Sequence, residues 1–239
     1  MPRKYHRRRR RTKYGQPSTR YRGGGPAFDR RARTVMTRGV SLIPDRYMCK
    51  LKYSESYAFP GVASLETFEL RGNSINDPNL TGTGHQPLGH TELASLYNKY
   101  RVLGSSCKII LTPTGTGQGS ILKYCLSPRT ESGVPTSWSV QVEQPYTKRL
   151  GFTSLITGGG NVSRKALSMY MPTAKILGIT KVKASDDDYS AAFAANPDKQ
   201  WYWQITVSSS DESTAIECRA DILMTYYVVC YERKELASS

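Results

Sequence analysis

Acidic side chains are almost missing from the first 38 residues, where Asp29 stands alone against 14 Lys and Arg. Beyond that point 20 Lys and Arg face 18 Asp and Glu, so the opening segment carries +13 of the formal +15 and the remainder only +2. Such segregation excludes an evenly basic surface and points to a dedicated polyanion-binding arm on a nearly neutral body. The segment also has few aliphatic side chains, and Gly23-Gly24-Gly25-Pro26 interrupts regular structure. Residues 1–38 are therefore expected to be disordered when free, and residues 39–239 to fold.

Other scarcities narrow the class. The five cysteines, Cys49, Cys107, Cys125, Cys218 and Cys230, lie far apart without a C-x-x-C pair. An odd, scattered set argues against a disulfide framework and reads as buried free thiols. No apolar run approaches the ~20 residues of a membrane-spanning helix. The N-terminus has charge but no apolar stretch, so neither a secretory leader nor membrane insertion is expected.

Histidine is scarce too: His6, His85 and His90. The last two share an H-x4-H spacing around Pro87 and Gly89, but a structural zinc site takes four ligands and no cysteine is near. A loop histidine, packed or hydrogen-bonded at a subunit contact, is the expectation. No G-x-S-x-G occurs. "GTGQGS" follows Pro113 and enters a strand-like run, where a phosphate loop would need a helix behind it, so it reads as a turn. Asp186, Asp187 and Asp188 are consecutive; on an extended chain neighbours point to opposite faces, which suits a solvated loop better than a metal site. A metal-dependent nuclease using these three is the enzymatic rival. Nothing else assembles a nucleophile, a base and an orienting group, so no enzyme, no catalytic or metal-binding residue and no cofactor are expected.

What is present is strand periodicity. Tyr47, Cys49, Leu51 and Tyr53 alternate with Met48, Lys50, Lys52 and Ser54, and Phe68 and Leu70 alternate in "SLETFELR". Residues 72–90 form a long Gly/Asn/Pro loop. In "TELASLYNKY", Leu93, Leu96, Tyr97 and Tyr100 fall at helical spacing, with Thr91 as N-cap. "SSCKIILT" and "GSILKYCLSP" read as strands joined by "PTGTGQG". Residues 128–160 read as irregular. "NVSRKALSMYM" alternates, with Val162, Arg164, Ala166, Ser168 and Tyr170 on one face and Ser163, Lys165, Leu167 and Met169 on the other. "PTAKILG" reads as a helical turn begun by Pro172, and "DDDYSAAFAANPDK" as a polar loop. "QWYWQITVSS" and "IECRADILMTYYVVCYER" are long strands. The fold class expected is all-β: a single antiparallel jelly-roll sandwich with long loops, seven or eight strands and one or two short helices.

The arm has a definite chemistry. Arg7, Arg8, Arg9, Arg10 and Arg11 are uninterrupted, flanked by Arg3, Lys4 and Lys13, and followed by Arg20, Arg22, Arg30, Arg31 and Arg33. Arginine stays charged and grips phosphate through two parallel hydrogen bonds. Tyr5, Tyr14 and Tyr21 are interleaved, which suits single strands whose unpaired bases stack on rings. A short basic run also serves nuclear import. As a coil, 38 residues span ~35 Å, and extended over ~100 Å, enough to follow a strand beyond the body.

"IPDRYMCKLKYSESY", "RGNSINDPNLTGTGHQPLGHTELASLYNKYRVLGS" and "ILMTYYVVCYERK", set behind an arginine-rich terminus, resemble the capsid proteins of circovirus-like viruses, whose genomes are small circles of single-stranded DNA. Residues 128–160 contribute nothing to the likeness. The resemblance implies one jelly roll, about sixty copies of which form a small T=1-like icosahedral shell, a virion protein that visits the host nucleus. It places the arm residues on the DNA genome, with Arg30, Arg31 and Arg33 nearer the wall, and implies host nuclear-import factors and an attachment receptor as further partners. Residues 72–91 become the candidate contact loop. Sixty arms would bring on the order of 800 positive charges, leaving a genome of a few thousand nucleotides only partly neutralised. The rival binding-module reading, a cellular nuclear or ribosomal nucleic-acid-binding protein, expects a monomer with basic patches on the fold itself.

Overall fold

In a computed structural model of the chain, the described residues are 43–61, 65–114, 121–154, 165–180, 187–213, 215 and 217–235. Among them nine strands follow in order: β1 (Arg46–Pro60), β2 (Glu66–Arg71), β3 (Tyr97–Pro113), β4 (Ile121–Arg129), β5 (Lys148–Ser154), β6 (Lys165–Pro172), β7 (Ser190–Ala192), β8 (Tyr202–Ser209) and β9 (Glu217–Arg233). All pairings are antiparallel. One sheet has the order β1-β9-β3-β6, with β7 also on β3; the other has the order β2-β8-β4-β5. Two four-strand layers in this interleaved order, apart from the short β7, are a jelly roll.

The core lies between the sheets. It joins Leu51, Tyr53 and Phe59 of β1 and alternate residues of β9 from Cys218 to Cys230 to Trp203, Ile205 and Val207 of β8. Alternation selects those side chains: β9 buries every second residue along most of its length. From Tyr100 onward the parity of β3 changes once. Tyr100 and Val102 are buried, then Ser105, Cys107, Ile109 and Leu111, because a bulge at Leu103 shifts the register against β9 between Val102 and Gly104. Glycine is required beside that bulge. A Cβ on Gly104 would lie 2.8 Å from both the Met171 carbonyl oxygen and the Tyr170 hydroxyl.

Tyrosine abundance has a structural use. Tyr226 donates to the Arg71 carbonyl (2.8 Å), Tyr97 to the Pro44 carbonyl (2.8 Å) and Tyr100 to the Ala195 carbonyl (2.9 Å). Each ring fills the core while its hydroxyl ties down a loop backbone. Trp201 and Trp203 meet edge to face at 5.2 Å. Their indole N–H groups donate to Thr173 and Ser105, at 3.2 and 2.9 Å.

Three short α-helices are found among the described residues where one or two helices were expected: α1 (His90–Leu96), α2 (Trp138–Glu143) and α3 (Thr173–Ile176), the last preceded by Pro172; a single 3-10 turn covers Asp187–Tyr189. Several expectations are corrected. The helix in "TELASLYNKY" stops at Leu96, and its N-cap is Gly89 at φ 89°, not Thr91. Tyr97 and Tyr100, although at helical spacing, belong to β3, where pairing with β9 satisfies their backbone and buries both rings. The polar loop after Asp188 contains β7, held on β3 opposite Lys99–Arg101, with Tyr189 and Phe193 buried beside it. The region read as irregular holds α2 and β5, the latter paired with β4. Val162, Ser163, Arg164 and most of "PTGTGQG" lie outside the described residues.

Candidate nucleic-acid interface

The arm residues Arg3 to Arg33, with Tyr5, Tyr14 and Tyr21, lie outside the described residues, as do His6 and Asp186. The candidate contact loop does not. Its entrance is fixed by Arg71, whose guanidinium donates to Asp77 (2.7 Å), to the Asp77 and Asn79 carbonyls and to Gln200. Gly72 leaves room for Trp201, whose ring would be 2.4 Å from an added Cβ. Asn73 bridges to the 199–201 backbone, and Ser74 bonds Tyr100 and Asn196. Asn79 reaches Glu55 at 2.7 Å, and the Tyr53 hydroxyl donates to the same carboxylate. Polar loop residues are thus held by the sandwich end and do not hang free.

The two histidines serve different ends of this loop. His85 packs against Tyr53 with ring centroids 4.7 Å apart and the planes tilted by 38°, its Nδ1 2.8 Å from the Gln86 carbonyl oxygen and its Nε2 2.9 Å from that of Ser54. Two acceptors favour the doubly protonated ring and hold its pKa above the usual histidine value. His90 is buried, its Nε2 bonded to the Phe193 carbonyl and its Nδ1 without a partner; burial pushes its pKa down and keeps it neutral. No group of three or more His, Cys, Asp or Glu able to hold a metal occurs among the described residues. Asp187 lies 3.7 Å from Lys99, and the Asp188 carbonyl accepts from the Lys199 N–H. The cysteines are free thiols, four buried and Cys49 half-buried.

Charge on the body is also segregated, which its near-zero net value concealed. Lys50 and Lys52 project from the outer face of β1 and Lys108 from that of β3; all three are exposed. Arg101 lies with its guanidinium 5.2 Å over the Tyr231 ring, and Lys50 sits 5.2 Å over Tyr227. Tyr170 of β6 is 49% exposed and meets Tyr227 edge to face at 5.3 Å. Tyr227 pairs with Gly104, so the ring of Tyr170 leans across the glycine toward β9. Acids on this face stand at its ends. Glu217 and Asp221 are at one, with Asp221 bonded to Ser56, and Glu232 and Asp187 meet Lys99 at the other. The four cross-strand rows from Met48–Val229 to Ser54–Leu223 contain none.

The outer face of the second sheet is covered. Gln141 of α2, fully buried, donates to Gln204 and Thr206 of β8 at 3.2 Å each. Gln204 in turn donates to Glu69 (2.6 Å) and to the Gly133 carbonyl (2.9 Å). Thr147 bonds Ser127 at 2.9 Å, and Ser137 caps α2 by accepting from the Val140 N–H. The connection between β4 and β5 therefore lies on the polar face of β2, β8 and β4.

No protein-family model matches this chain, and no curated protein matches it. Solved structures similar to it include turnip yellow mosaic virus, at 10% identity and TM-score 0.40 over 84% of this chain and 88% of that one. The BFDV capsid protein, solved as a decamer, matches at 13% identity and TM-score 0.36 over 77% and 99%. Tobacco necrosis virus matches at 14% identity and TM-score 0.39 over 79% and 98%. The jelly-roll assignment comes from the strand order of this chain alone.

Proposed function

We propose that this chain is a capsid subunit, a non-enzymatic structural protein that self-assembles into a T=1-like icosahedral shell and packages circular single-stranded DNA through its basic arm. The observation that carries this reading is the pairing of an eight-strand jelly-roll order with a preceding segment of 14 cations and one acid. The sequence resemblance to circovirus-like capsid proteins supports it. In this reading residues 1–38 hold the genome and direct nuclear import, residues 39–239 build the wall, and loop 72–91 meets neighbouring subunits or faces a host receptor. Phosphate contacts make binding nearly independent of sequence and steeply dependent on salt; eight contacts give a log–log slope of about −6 on single strands.

Size-exclusion chromatography and negative-stain microscopy of the expressed full chain test it. Megadalton shells carrying nuclease-protected DNA are expected, and replacing Arg7–Arg11 with alanine should abolish DNA uptake while leaving the circular dichroism unchanged. A permanent monomer in every buffer overturns the proposal. A cellular nucleic-acid-binding protein is the second reading. The basic rows on the body's own sheet favour it, and a monomer that binds single strands would establish it.

A further inference from the structure

We propose that the outer face of the β1-β9-β3-β6 sheet is a second contact for single-stranded nucleic acid, with Tyr170 as its base-stacking platform and Lys50, Lys52, Lys108 and Arg101 as its phosphate contacts. The inference rests on the reading that this chain binds nucleic acid, and it moves part of that binding from the arm to the folded body.

Three observations choose the occupant. First, among the described residues Lys52 and Lys108 have no acidic partner, and the four central rows contain no acid at all. Exposed lysines are depleted at the centres of protein–protein interfaces, whereas an uncompensated cationic strip is the electrostatic footprint of a polyanion site. Second, the cations fall on a lattice. Same-face neighbours along a strand stand ~6.8 Å apart and adjacent strands ~4.8 Å apart, so the charges follow a band across the sheet and do not crowd into one pocket. A band tracks a phosphate backbone; a pocket would hold a small anion. Third, an exposed aromatic ring lies within that band. Tyr170 is braced by Tyr227 at 5.3 Å and given its place by Gly104, where any side chain would collide with its hydroxyl. A braced, half-exposed ring among lysines offers a stacking surface that only unpaired bases can use.

Photo-crosslinking of the unsubstituted full chain to an oligothymidylate carrying iododeoxyuridine tests this without relying on any variant. Mass spectrometry should find adducts on the Tyr170 or Tyr227 peptides as well as in residues 1–38. Two full-chain variants then separate the roles. Replacing Lys50, Lys52 and Lys108 together with Glu should lower the log–log salt slope by about 2. Tyr170→Ala should weaken binding about 5- to 150-fold with the slope unchanged, while Tyr170→Trp restores it. Adducts confined to residues 1–38, with both variants binding normally, overturn the sheet contact and leave the arm reading standing. Absence of single-strand binding by the unsubstituted chain ends both readings. Variants that bind normally yet no longer form particles make the face a subunit contact and overturn the inference.

Discussion

Strands β8 and β9 both alternate apolar with polar residues, yet β8 is buried along nearly its whole length and β9 along only one face. The difference lies above the sheets. Over β8 the 130–147 connection satisfies Gln204 and Thr206 with Gln141, and Glu69 with the Gly133 N–H at 2.9 Å. Over β9 the corresponding positions, Thr225 and Tyr227, look out through lysines and tyrosines. One polar face is sealed into the structure, where it must be fully hydrogen-bonded. Nothing among the described residues seals the other in the same way. Alternation marks which side is apolar and says nothing about whether the polar side is wet.

An alanine scan along the two strands would break or confirm this contrast. On β8 both parities should hurt. Trp203→Ala empties a core position and should cost about 3–5 kcal/mol. Gln204→Ala strips partners from Gln141 and Glu69 and should cost about 1–3 kcal/mol. On β9 only one parity should register: Met224→Ala at about 2–5 kcal/mol, Thr225→Ala within about 0.5. Urea denaturation reads all four. A Thr225 effect equal to that of Gln204 would mean that the lysine face is sealed as well.

The thiols sharpen the same point more gently. Cys125 pairs with Thr206 on the covered side of β4, and burial there raises its pKa to about 11. Cys49 is half-buried on edge strand β1, and a hydrogen bond with Cys230 lowers its pKa. With a thiol reagent at pH 8, Cys49 should react first, and Cys125 only as the chain unfolds. Early Cys125 labelling would show that the 130–147 cover lifts from the sheet.

How much of this was legible in residues alone follows from the same physics. Strong alternation in "CKLKY", "QWYWQITVSS" and "DILMTYYVVCY" gave the sandwich, because a period of two needs only neighbours along one strand. The tyrosines of "YNKY" misled because three- and four-residue spacing also fits a strand whose first ring packs on Tyr47, at 6.4 Å, and whose next faces the core. Region 128–160 was opaque because Gln141, Gly133 and Thr147 are held by residues as far as 71 positions away. The lysine–tyrosine face was present in the letters of β1, β3, β6 and β9. Seeing it required the register that puts Lys52, Thr225, Ser106 and Tyr170 in one row, and the bulge at Leu103 that sets the parity.

The smallest expected effect concerns the loop at the edge of the same sheet. His85 lies between two carbonyl oxygens, those of Gln86 and Ser54, and carbonyls only accept, so both ring nitrogens must carry hydrogens for both bonds to form. The Gln86 carbonyl, then that of Ser54, raises its pKa above the unfolded value near 6.5. A raised folded-state pKa means that the pinning is complete below that unfolded value and fades as pH climbs through the folded one. The imidazole is exposed, so solvent screens the interaction and global stability should scarcely move. Local opening should respond instead. Limited proteolysis within residues 80–90 should quicken from pH 6 to pH 8.5 in the unsubstituted chain and change little in His85→Ala. Faster cleavage on the acid side would mean that the neutral ring holds the loop, and that the Ser54 end of the lysine face is anchored by Glu55 and Asn79 without it.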